Sequence, residues 1–241
     1  MAEAKNILKT FYATKPTPCD YLPDRMESKT AVDLNGPNAQ SWANALSRAG
    51  FRRSHNVCYI PACPQCNACV SVRICVDRFL PSKKMKKTIR RNEKSAVHFV
   101  PNVATAEQYD LFKTYLSARH AGSAMETMFF EEYRAMIEDS PVDSCLLEVR
   151  RSEDARLSGV MLVDVLDDGL SAVYSFFDPA HADQSPGTFM ILELIKQTLR
   201  LRKPYVYLGY LIRELSNMTY KERFAPLEYC RAGQWFDSFP D

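Results

Sequence analysis

Three apolar runs decide the fold of this 241-residue chain: CLLEV at residues 145–149, SGVMLVDV at residues 158–165 and SAVYSFF at residues 171–177. Each run is rich in residues that favour strands and is bounded by polar or turn-forming residues. The dipeptide Asp168-Gly169 separates the last two runs and favours a tight hairpin turn. The stretch therefore predicts an antiparallel meander.

Helical patterns flank the meander on both sides. Thr105 and Gln108 have the spacing of a capping box, which predicts a helix that begins there and reaches about His120. The further expected elements are a helix near residues 129–138, the meander, a helix over residues 188–202, and strands near residues 205–208 and 227–229. This order of elements is typical of the acyl-CoA N-acyltransferase (GNAT) fold.

The first hundred residues differ from the rest because they are rich in cysteine and proline and then strongly basic. We place a domain boundary near Pro101, between domains at residues 1–100 and 101–241. Within the first domain, residues 38–49 predict a short helix, and the alternation over residues 70–77 predicts a half-buried strand. The expected class is α+β: an irregular Cys-rich N-terminal domain, and a C-terminal GNAT-like domain with a mixed, mostly antiparallel sheet.

Charge is unevenly distributed along the chain. The 31 Lys and Arg and 29 Asp and Glu give a net charge of only +2, which by itself gives no reason to expect a polyanionic partner. Nine of those cations lie between Arg73 and Lys94 with two acidic residues, a local charge of +7 that leaves −5 elsewhere. We call this segment the basic strip. Such a charge run is often only a solvated face, but here its density of positive charge favours the binding of RNA through contacts with its shape and its phosphates. The candidate RNA-binding residues are Lys83, Lys84, Lys86, Lys87, Arg90 and Arg91.

Composition also excludes some classes of protein. No stretch approaches the roughly 20 apolar residues that a membrane-spanning helix needs, so a membrane protein is not expected. The first ten residues lack the apolar segment of a signal peptide, and we therefore expect a cytoplasmic protein with reduced cysteines. The eight glycines form neither a GxGxxG fingerprint nor a phosphate-binding P-loop. A group-transfer enzyme of this kind would receive a donor that is already activated.

One loop has the spacing of an anion site. In coenzyme A-dependent enzymes of the GNAT fold, a loop of the form Q/R-x-x-G-x-G/A opens the long helix and binds a pyrophosphate at the helix N-terminus. Gln184 and Gly187 match this form, and Thr188 follows. Phe189 replaces the final small residue, and we expect it to crowd a pyrophosphate. The alternative is that Gly187 only makes a turn and Thr188 only caps the helix.

The cysteines are clustered near the N-terminus. Cys63, Cys66 and Cys69 have metal-ligand spacing, with Cys19 as a distant fourth ligand; Cys58 and Cys75 are alternatives. Zinc and an iron–sulfur cluster are both candidates, although no cofactor is required by the rest of the sequence. The alternative is a set of packed, reduced thiols that brace the domain.

Short strings in chain order carry a resemblance to a known family. They are PCDYLP (18–23), GFRRS (50–54), YIPAC (59–63), CNAC (66–69), RRN (90–92), RH (119–120), SAVYSFFDP (171–179), GT (187–188), YVYLGY (205–210), MTYK (218–221) and FAPLE (224–228). Together they resemble the arginyl/leucyl-tRNA-protein transferases of the N-degron pathway, and within them the bacterial aspartate/glutamate leucyltransferase branch. Pro186 and Leu211 depart from the Leu and Trp that are usual at these positions.

The resemblance implies a cytoplasmic enzyme that moves an aminoacyl group from aminoacyl-tRNA to the α-amine of proteins that begin with Asp or Glu. Leucine is the expected group and arginine the alternative, so the expected partners are Leu-tRNA or Arg-tRNA and such proteins. An aminoacyl ester is already activated, which agrees with the missing nucleotide motifs, and tRNA agrees with the basic strip. The rival interpretations are a coenzyme A-dependent N-acetyltransferase and a non-enzymatic module that binds tRNA or senses redox state.

Acyl transfer to an amine needs a base, a positioned ester and a counter-charge for the acidic acceptor. We expect Arg52, Arg53 or Arg73 to bind the acceptor's side-chain carboxylate, since arginine forks bind carboxylates bidentately. Asp178 is the first candidate to orient or deprotonate the amine, and its alternative role is to cap a turn. The further expected catalytic residues are Tyr207 and Lys221. The further expected substrate-binding residues are Arg119, His120, Gln184, Gly187, Thr188 and Tyr210.

Overall fold

The computed structural model describes residues 9–120, 122 and 124–240 of the chain. The segment before residue 9, which belongs to the stretch where the sequence predicts no signal peptide, lies outside the described residues. Within those described, no helix combines the length and the hydropathy needed to cross a membrane.

The N-terminal elements are short. They are β1 (Phe11–Ala13), β2 (Thr17–Pro18), β3 (Met26–Glu27), β4 (Lys29–Asp33), α1 (Ala39–Arg48), β5 (Arg52–Ser54), β6 (Val57–Pro61), β7 (Val70–Cys75) and α2 (Lys83–Arg91). Strands β1, β4, β6 and β5 form an antiparallel sheet in that order, and β2 pairs with β3. The region expected to be irregular thus contains its own sheet, whose strands of three to five residues are too short to show a clear period of two.

The C-terminal elements follow the predicted order. They are β8 (Ala96–Pro101), α3 (Ala106–Arg119), α4 (Phe130–Glu138), β9 (Ser144–Arg150), β10 (Leu157–Val165), β11 (Gly169–Phe177), α5 (Pro186–Arg200), β12 (Tyr205–Leu211), β13 (Leu227–Arg231) and β14 (Gln234–Phe236). The antiparallel meander of β9, β10 and β11 is confirmed. The capping box is also confirmed, because both reciprocal hydrogen bonds between Thr105 and Gln108 are present.

A single mixed sheet organises the molecule. Its strand order is β14-β13-β7-β12-β11-β10-β9-β8, and every neighbouring pair is antiparallel except β11 and β12. The α+β class with a mostly antiparallel sheet is therefore confirmed.

Strand β7 comes from the N-terminal part of the sequence but lies inside this sheet, between β12 and β13. The pairing therefore crosses the boundary expected near Pro101. The expectation of a half-buried strand was wrong, because all six residues of β7 are buried. Its polar face, which includes Ser71 and Arg73, is covered as well: Ser71 donates to the Gly50 carbonyl, and Arg73 contacts side chains from β12 and β13.

Helices cover both faces of the meander. Residues that alternate along β9 and β10 enter two different clusters, so Leu147 and Met161 pack with α5, whereas Leu146 and Leu162 pack with α3 and α4. This alternation is what a strand with two buried faces requires. A third cluster joins α1 to β4 and β6 and holds the N-terminal sheet in place.

The parallel strands β11 and β12 separate partway along their length. Their pairing covers Gly169 to Ser171 opposite Tyr205 to Tyr207. Residues 172–177 of β11 and 208–211 of β12 continue beyond it. We call the space between these two unpaired segments the opening, and the paired segment beside it the closed end. The carbonyls that line the opening lack a strand partner and must be satisfied by other donors.

Candidate active site

Two cationic side chains satisfy carbonyls on the two sides of the opening. Arg52, the first residue of β5, donates to the carbonyl of Val173 on β11. Lys221 donates to the carbonyl of Tyr210 on β12 from the short 3-10 helix Thr219–Phe224. Among the described residues, neither cation forms an ion pair with a carboxylate. The opening therefore holds positive charge that its surroundings do not neutralise.

Arg52 fits the opening because the neighbouring position on β12 is glycine. Gly209 has a φ of +74°, which favours glycine, and a Cβ at this position would overlap the Arg52 guanidinium. A register shift in the pairing of β12 with β7 lies between Tyr207 and Gly209. The irregular strand thus makes room for a long side chain delivered from the N-terminal sheet.

Lys221 has the properties of a base. Its side chain is buried, and burial lowers its pKa to about 7, with a smaller contribution from the positive charge of Arg52. A buried lysine with a pKa close to neutrality is a feature of functional sites rather than of ordinary packing.

Tyr210 takes part in the frame of the opening. Its hydroxyl donates to the carbonyl of Tyr59 over 2.8 Å, and the two rings lie 6.0 Å apart. Because Tyr59 pairs with Arg52 in the N-terminal sheet, Tyr210 connects that sheet to β12. The structure thus shows how Tyr210 supports the opening, while its expected contact with substrate remains a prediction.

Three expected substrate-binding residues meet around Phe177, the last residue of β11. Gly187 lies directly over the Phe177 ring, since a Cβ added to this glycine would stand 3.5 Å from the ring. The Arg119 guanidinium lies 5.9 Å from the centre of the same ring. The His120 ring lies 5.5 Å from the tilted ring of Tyr115, which in turn contacts Phe177 at 5.0 Å. Sequence patterns alone did not mark Tyr115 or Phe177 as functional, because aromatic residues at such positions usually belong to the core.

The loop before α5 differs in one respect from the expectation. Ser185 adopts a left-handed conformation, and α5 begins at Pro186, so Gly187 and Thr188 lie in the first turn of that helix. Phe189 was expected to crowd a pyrophosphate at this loop, but its side chain is instead buried in the core cluster on the inner face of α5. The half-buried Gln184 contributes its backbone carbonyl as an acceptor for Asn92.

Asp178 caps the 3-10 helix Pro179–Gln184. One carboxylate oxygen accepts from the Ala180 amide over 3.0 Å, and the other lies 2.9 Å from Nδ1 of His181. Because Nε2 of His181 faces the Arg151 guanidinium at 2.9 Å, the ring accepts there and donates its Nδ1 proton to Asp178. Both oxygens thus have local partners, which favours the capping role over the expected role as a base.

Arg53 and Arg73 occupy a different environment from Arg52. Arg53 forms a buried bidentate pair with Asp164 of β10, at 2.5 and 2.7 Å. Arg73 pairs with Glu228 at 2.6 Å. These two guanidinium groups already hold carboxylates, so they do not suit the expected role of binding an acceptor's carboxylate.

Tyr207 lies at the closed end, beside Arg73. Its hydroxyl accepts from Arg73 over 3.1 Å and donates to Asp168 over 2.9 Å. The Arg73 guanidinium also stacks between Tyr205, at 3.4 Å from the ring centre, and Trp235, at 4.2 Å. Burial raises the pKa of Tyr207 well above its usual value. This arrangement gives Tyr207 a structural role, and nothing in its contacts supports the expected catalytic one.

Six of the nine cations of the basic strip form the exposed face of α2. Met85 and Thr88 bury the opposite face, as a helical repeat requires. The exposed cations are Lys83, Lys84, Lys86, Lys87, Arg90 and Arg91. Two hydrogen bonds, from Arg91 to the Asp183 carbonyl over 2.9 Å and from Asn92 to the Gln184 carbonyl over 3.0 Å, attach the end of α2 to the loop before α5.

The expected metal ligands lie near one another at the wall of a cavity. Cys63, Cys66 and Cys69 form part of its wall, and Cys19 accepts hydrogen bonds from nearby backbone amides. Among the residues that the structure describes, no three Cys, His, Asp or Glu side chains are placed to hold a metal ion. These thiols as arranged do not fit a metal, and no step below uses one.

Two family models match the chain. The model described as "Arginine-tRNA-protein transferase, N terminus" matches residues 17–87, and the one described as "Arginine-tRNA-protein transferase, C terminus" matches residues 107–231. The opening is built from residues within these ranges, and so is α2 as far as Lys87.

Several curated proteins named "Aspartate/glutamate leucyltransferase" are similar over nearly the whole chain. The protein from Gluconacetobacter diazotrophicus is 51% identical over 93% of this chain and 86% of its own length. The protein from Paramagnetospirillum magneticum is 48% identical over 93% and 92%, respectively. The protein from Azorhizobium caulinodans is 41% identical over 98% of both.

Two solved structures share the fold at low sequence identity. FemX aligns with a TM-score of 0.52 and 8% identity over 87% of this chain and 71% of its own. L-PGS from Bacillus licheniformis aligns with a TM-score of 0.52 and 12% identity over 69% of this chain and 61% of its own. Both are GNAT-like, which agrees with the expected fold of the C-terminal part.

Proposed function

The chain belongs to the arginine-tRNA-protein transferase family, and we propose that the opening between β11 and β12 is its active site. The enzyme is an aminoacyltransferase that moves leucine from Leu-tRNA to the α-amine of a protein beginning with Asp or Glu. The observation that carries the site assignment is a pair of basic side chains, Arg52 and Lys221, on the two sides of the opening, neither of which has a carboxylate partner among the described residues.

The reaction converts an ester into an amide. The neutral α-amine of the acceptor attacks the carbonyl carbon of the aminoacyl ester, a C–N bond forms, and the C–O bond to the terminal ribose breaks. The amine loses a proton, and the departing ribose oxygen gains one. Since the ester supplies the driving force, the enzyme has to position the two reactants and move this proton.

Lys221 is the group best suited to take the proton. A base works most efficiently when its pKa lies near the operating pH, and the pKa of Lys221 is about 7. Neutral Lys221 accepts the proton from the attacking amine and then returns it to the ribose oxygen. Asp178 is a weaker candidate because both of its oxygens have local partners.

Arg52 is the group best suited to recognise the acceptor. Its guanidinium donates to the Val173 carbonyl, lies against Gly209 and has no carboxylate partner among the described residues. A carboxylate from the acceptor's first side chain would supply the missing counter-charge through charge-assisted hydrogen bonds. Arg53 and Arg73 are already paired with Asp164 and Glu228.

The donor approaches along α2. Its cations lie beside the loop that leads into α5, so RNA held on α2 has its 3′ end near Gly187, Arg119 and the opening. The exposed cations supply phosphate contacts without reading base sequence. Such a donor is abundant in the cytoplasm, where we place the enzyme.

The test is an N-terminal extension assay with labelled Leu-tRNA or Arg-tRNA and peptides that differ only in their first residue: Asp, Glu, Asn or Ala. We expect extension of the Asp and Glu peptides with leucine. Because the family models are named for arginine, extension with arginine instead would identify an arginyltransferase. No extension with either donor, or equal extension of all four peptides, would refute the proposal.

A further inference from the structure

The cavity lined by Cys63, Cys66 and Cys69 has no role in the proposed function of the opening. Its volume is about 620 Å³, within the range of about 300–1,000 Å³ that is typical of ligand sites. Its walls include Ile60 and Pro61 at the end of β6, and Arg213 and Glu214 just after β12. Its remaining wall contains the cysteines that were expected to bind metal.

The cavity is one step along the chain from the acceptor-binding groups. Arg52 on β5 pairs with Tyr59 on β6, and Tyr59 directly precedes Ile60 in the cavity wall. On the other side, the Tyr210 carbonyl that binds Lys221 lies on the strand that leads to Arg213. Because an extended chain rises by about 3.3 Å per residue, a polypeptide held at Arg52 by its first residue reaches the cavity with its second and third.

Positive charge predominates in the wall. Three arginines line the cavity, and Glu214 is the only acidic residue among the described residues of the wall. Arg213 pairs with Glu222 at 2.8 Å, but Arg25 donates to the Cys66 thiol and has no carboxylate partner among the described residues. The backbone of Arg231 pairs with Gln234, but its exposed side chain forms no hydrogen bond or ion pair within the described part of the chain. The cavity is thus complementary to negative charge.

We propose that this cavity binds the second and third residues of the acceptor protein and favours acidic side chains at those positions. The inference rests on the proposed function of the opening. It assigns to the cysteine-lined cavity a role in acceptor choice that depends on Arg25 and Arg231 and requires no metal.

The experiment compares three peptides that all begin with Asp and share one neutral tail. Their second and third residues are Asp-Asp, Ser-Ser or Lys-Lys, and kcat/KM is measured for N-terminal extension from labelled Leu-tRNA. For the wild-type enzyme we expect the acidic peptide to exceed the basic one by about tenfold, with the neutral peptide between them. Arg231→Glu should remove or reverse this order, and Arg231→Ala should weaken it.

Arg134→Glu is the matched control, because Arg134 is an exposed arginine on α4 and the substitution changes the net charge equally. This control should keep the wild-type order of the three peptides. Equal rates for the three Asp peptides with the wild-type enzyme, or the same order in Arg231→Glu as in the wild type, would overturn the inference alone. Absence of extension of every Asp peptide would instead overturn the proposed function.

Discussion

The opening and the closed end lie side by side between β11 and β12, yet they treat positive charge in opposite ways. At the closed end, Arg73 is paired with Glu228, stacked on aromatic rings and hydrogen-bonded to Tyr207. At the opening, Arg52 and Lys221 donate to carbonyls, and neither is paired with a carboxylate in the part of the chain that the structure describes. A half-buried or buried cation without a counter-charge costs free energy, and proteins retain it mostly where a ligand or a reaction uses it. The difference indicates that Arg73 stabilises the fold, whereas Arg52 and Lys221 take part in binding or catalysis.

Replacing Lys221 should have the largest effect at the opening. We expect Lys221→Met to lower kcat by about 10²–10⁴-fold, because general-base assistance is lost while the packing of the side chain is retained. In the wild-type enzyme kcat/KM should rise with pH and level off above about 7, as Lys221 loses its proton. The variant should lack this inflection. A variant with an unchanged pH profile would contradict the role of Lys221.

The lowered pKa of Lys221 also determines in which direction the free energy of unfolding changes with pH. Lys221 has a pKa of about 7 in the folded protein and an ordinary value of 10.5. Below pH 7 it is charged in both states, so the cost of burying the charge is fully present. As the pH rises from about 7 to 10.5 this cost disappears, because the folded protein binds fewer protons than the unfolded chain. Urea unfolding should therefore show Lys221→Met gaining stability relative to wild type mainly at low pH.

The fold was predictable from sequence where elements are long. The meander, the capping box at Thr105 and the helix after the meander all have strong local signals, and the structure contains them. The N-terminal sheet was not predictable from sequence, because its strands are short and its pairing depends on residues distant in sequence. The placement of β7 in the middle of the main sheet is likewise a tertiary event, since alternation along one strand cannot show what will cover its polar face.

The site was predictable only in part. Sequence identified Arg52, Arg53 and Arg73 as candidates but had no means to rank them, since Asp164, the partner of Arg53, lies 111 residues away along the chain. Lys221 was a candidate from its string, but its low pKa depends on burial that only the folded chain creates. The capping contacts of Asp178 are local, and its position before a proline was the signal for them.

Arg53 provides the contrast in stability. We expect Arg53→Ala to lower the free energy of unfolding by about 3–5 kcal/mol, because it leaves Asp164 buried without its partner. The adjacent Arg52→Ala removes no ion pair and should change stability much less. Urea denaturation followed by circular dichroism measures both.

A double replacement tests whether the loss of stability in Arg53→Ala comes from the unpaired charge of Asp164. Arg53→Leu combined with Asp164→Leu removes both charges and should recover much of the lost stability, as apolar replacements of buried pairs often do. If Arg52→Ala proved as destabilising as Arg53→Ala, the assignment of a structural role to Arg53 and a substrate-binding role to Arg52 would be contradicted.

The cations of α2 should have the smallest individual effects. Replacing Lys83, Lys84, Lys86 and Lys87 by glutamine should raise KM for aminoacyl-tRNA by about tenfold in physiological salt. It should also reduce the slope of log KM against log salt concentration by about one per lysine. KM for the acceptor peptide should change little. Arg134→Gln, on the exposed face of α4, serves as the control and should leave the salt dependence intact. An equal rise in both KM values would argue against a separate tRNA surface.

In the proposed active site, Arg52 recognises the acidic side chain of the acceptor at the opening. The most direct test measures kcat/KM for two peptides that begin with Asp or Asn, in the wild-type enzyme and in Arg52→Ala. We expect the wild-type enzyme to prefer Asp by about 100-fold, since the carboxylate supplies the missing counter-charge. Arg52→Ala should reduce this ratio to near one by slowing the Asp peptide, with the Asn peptide changed by about twofold or less. A variant that slows both peptides equally and keeps the preference for Asp would contradict the claim.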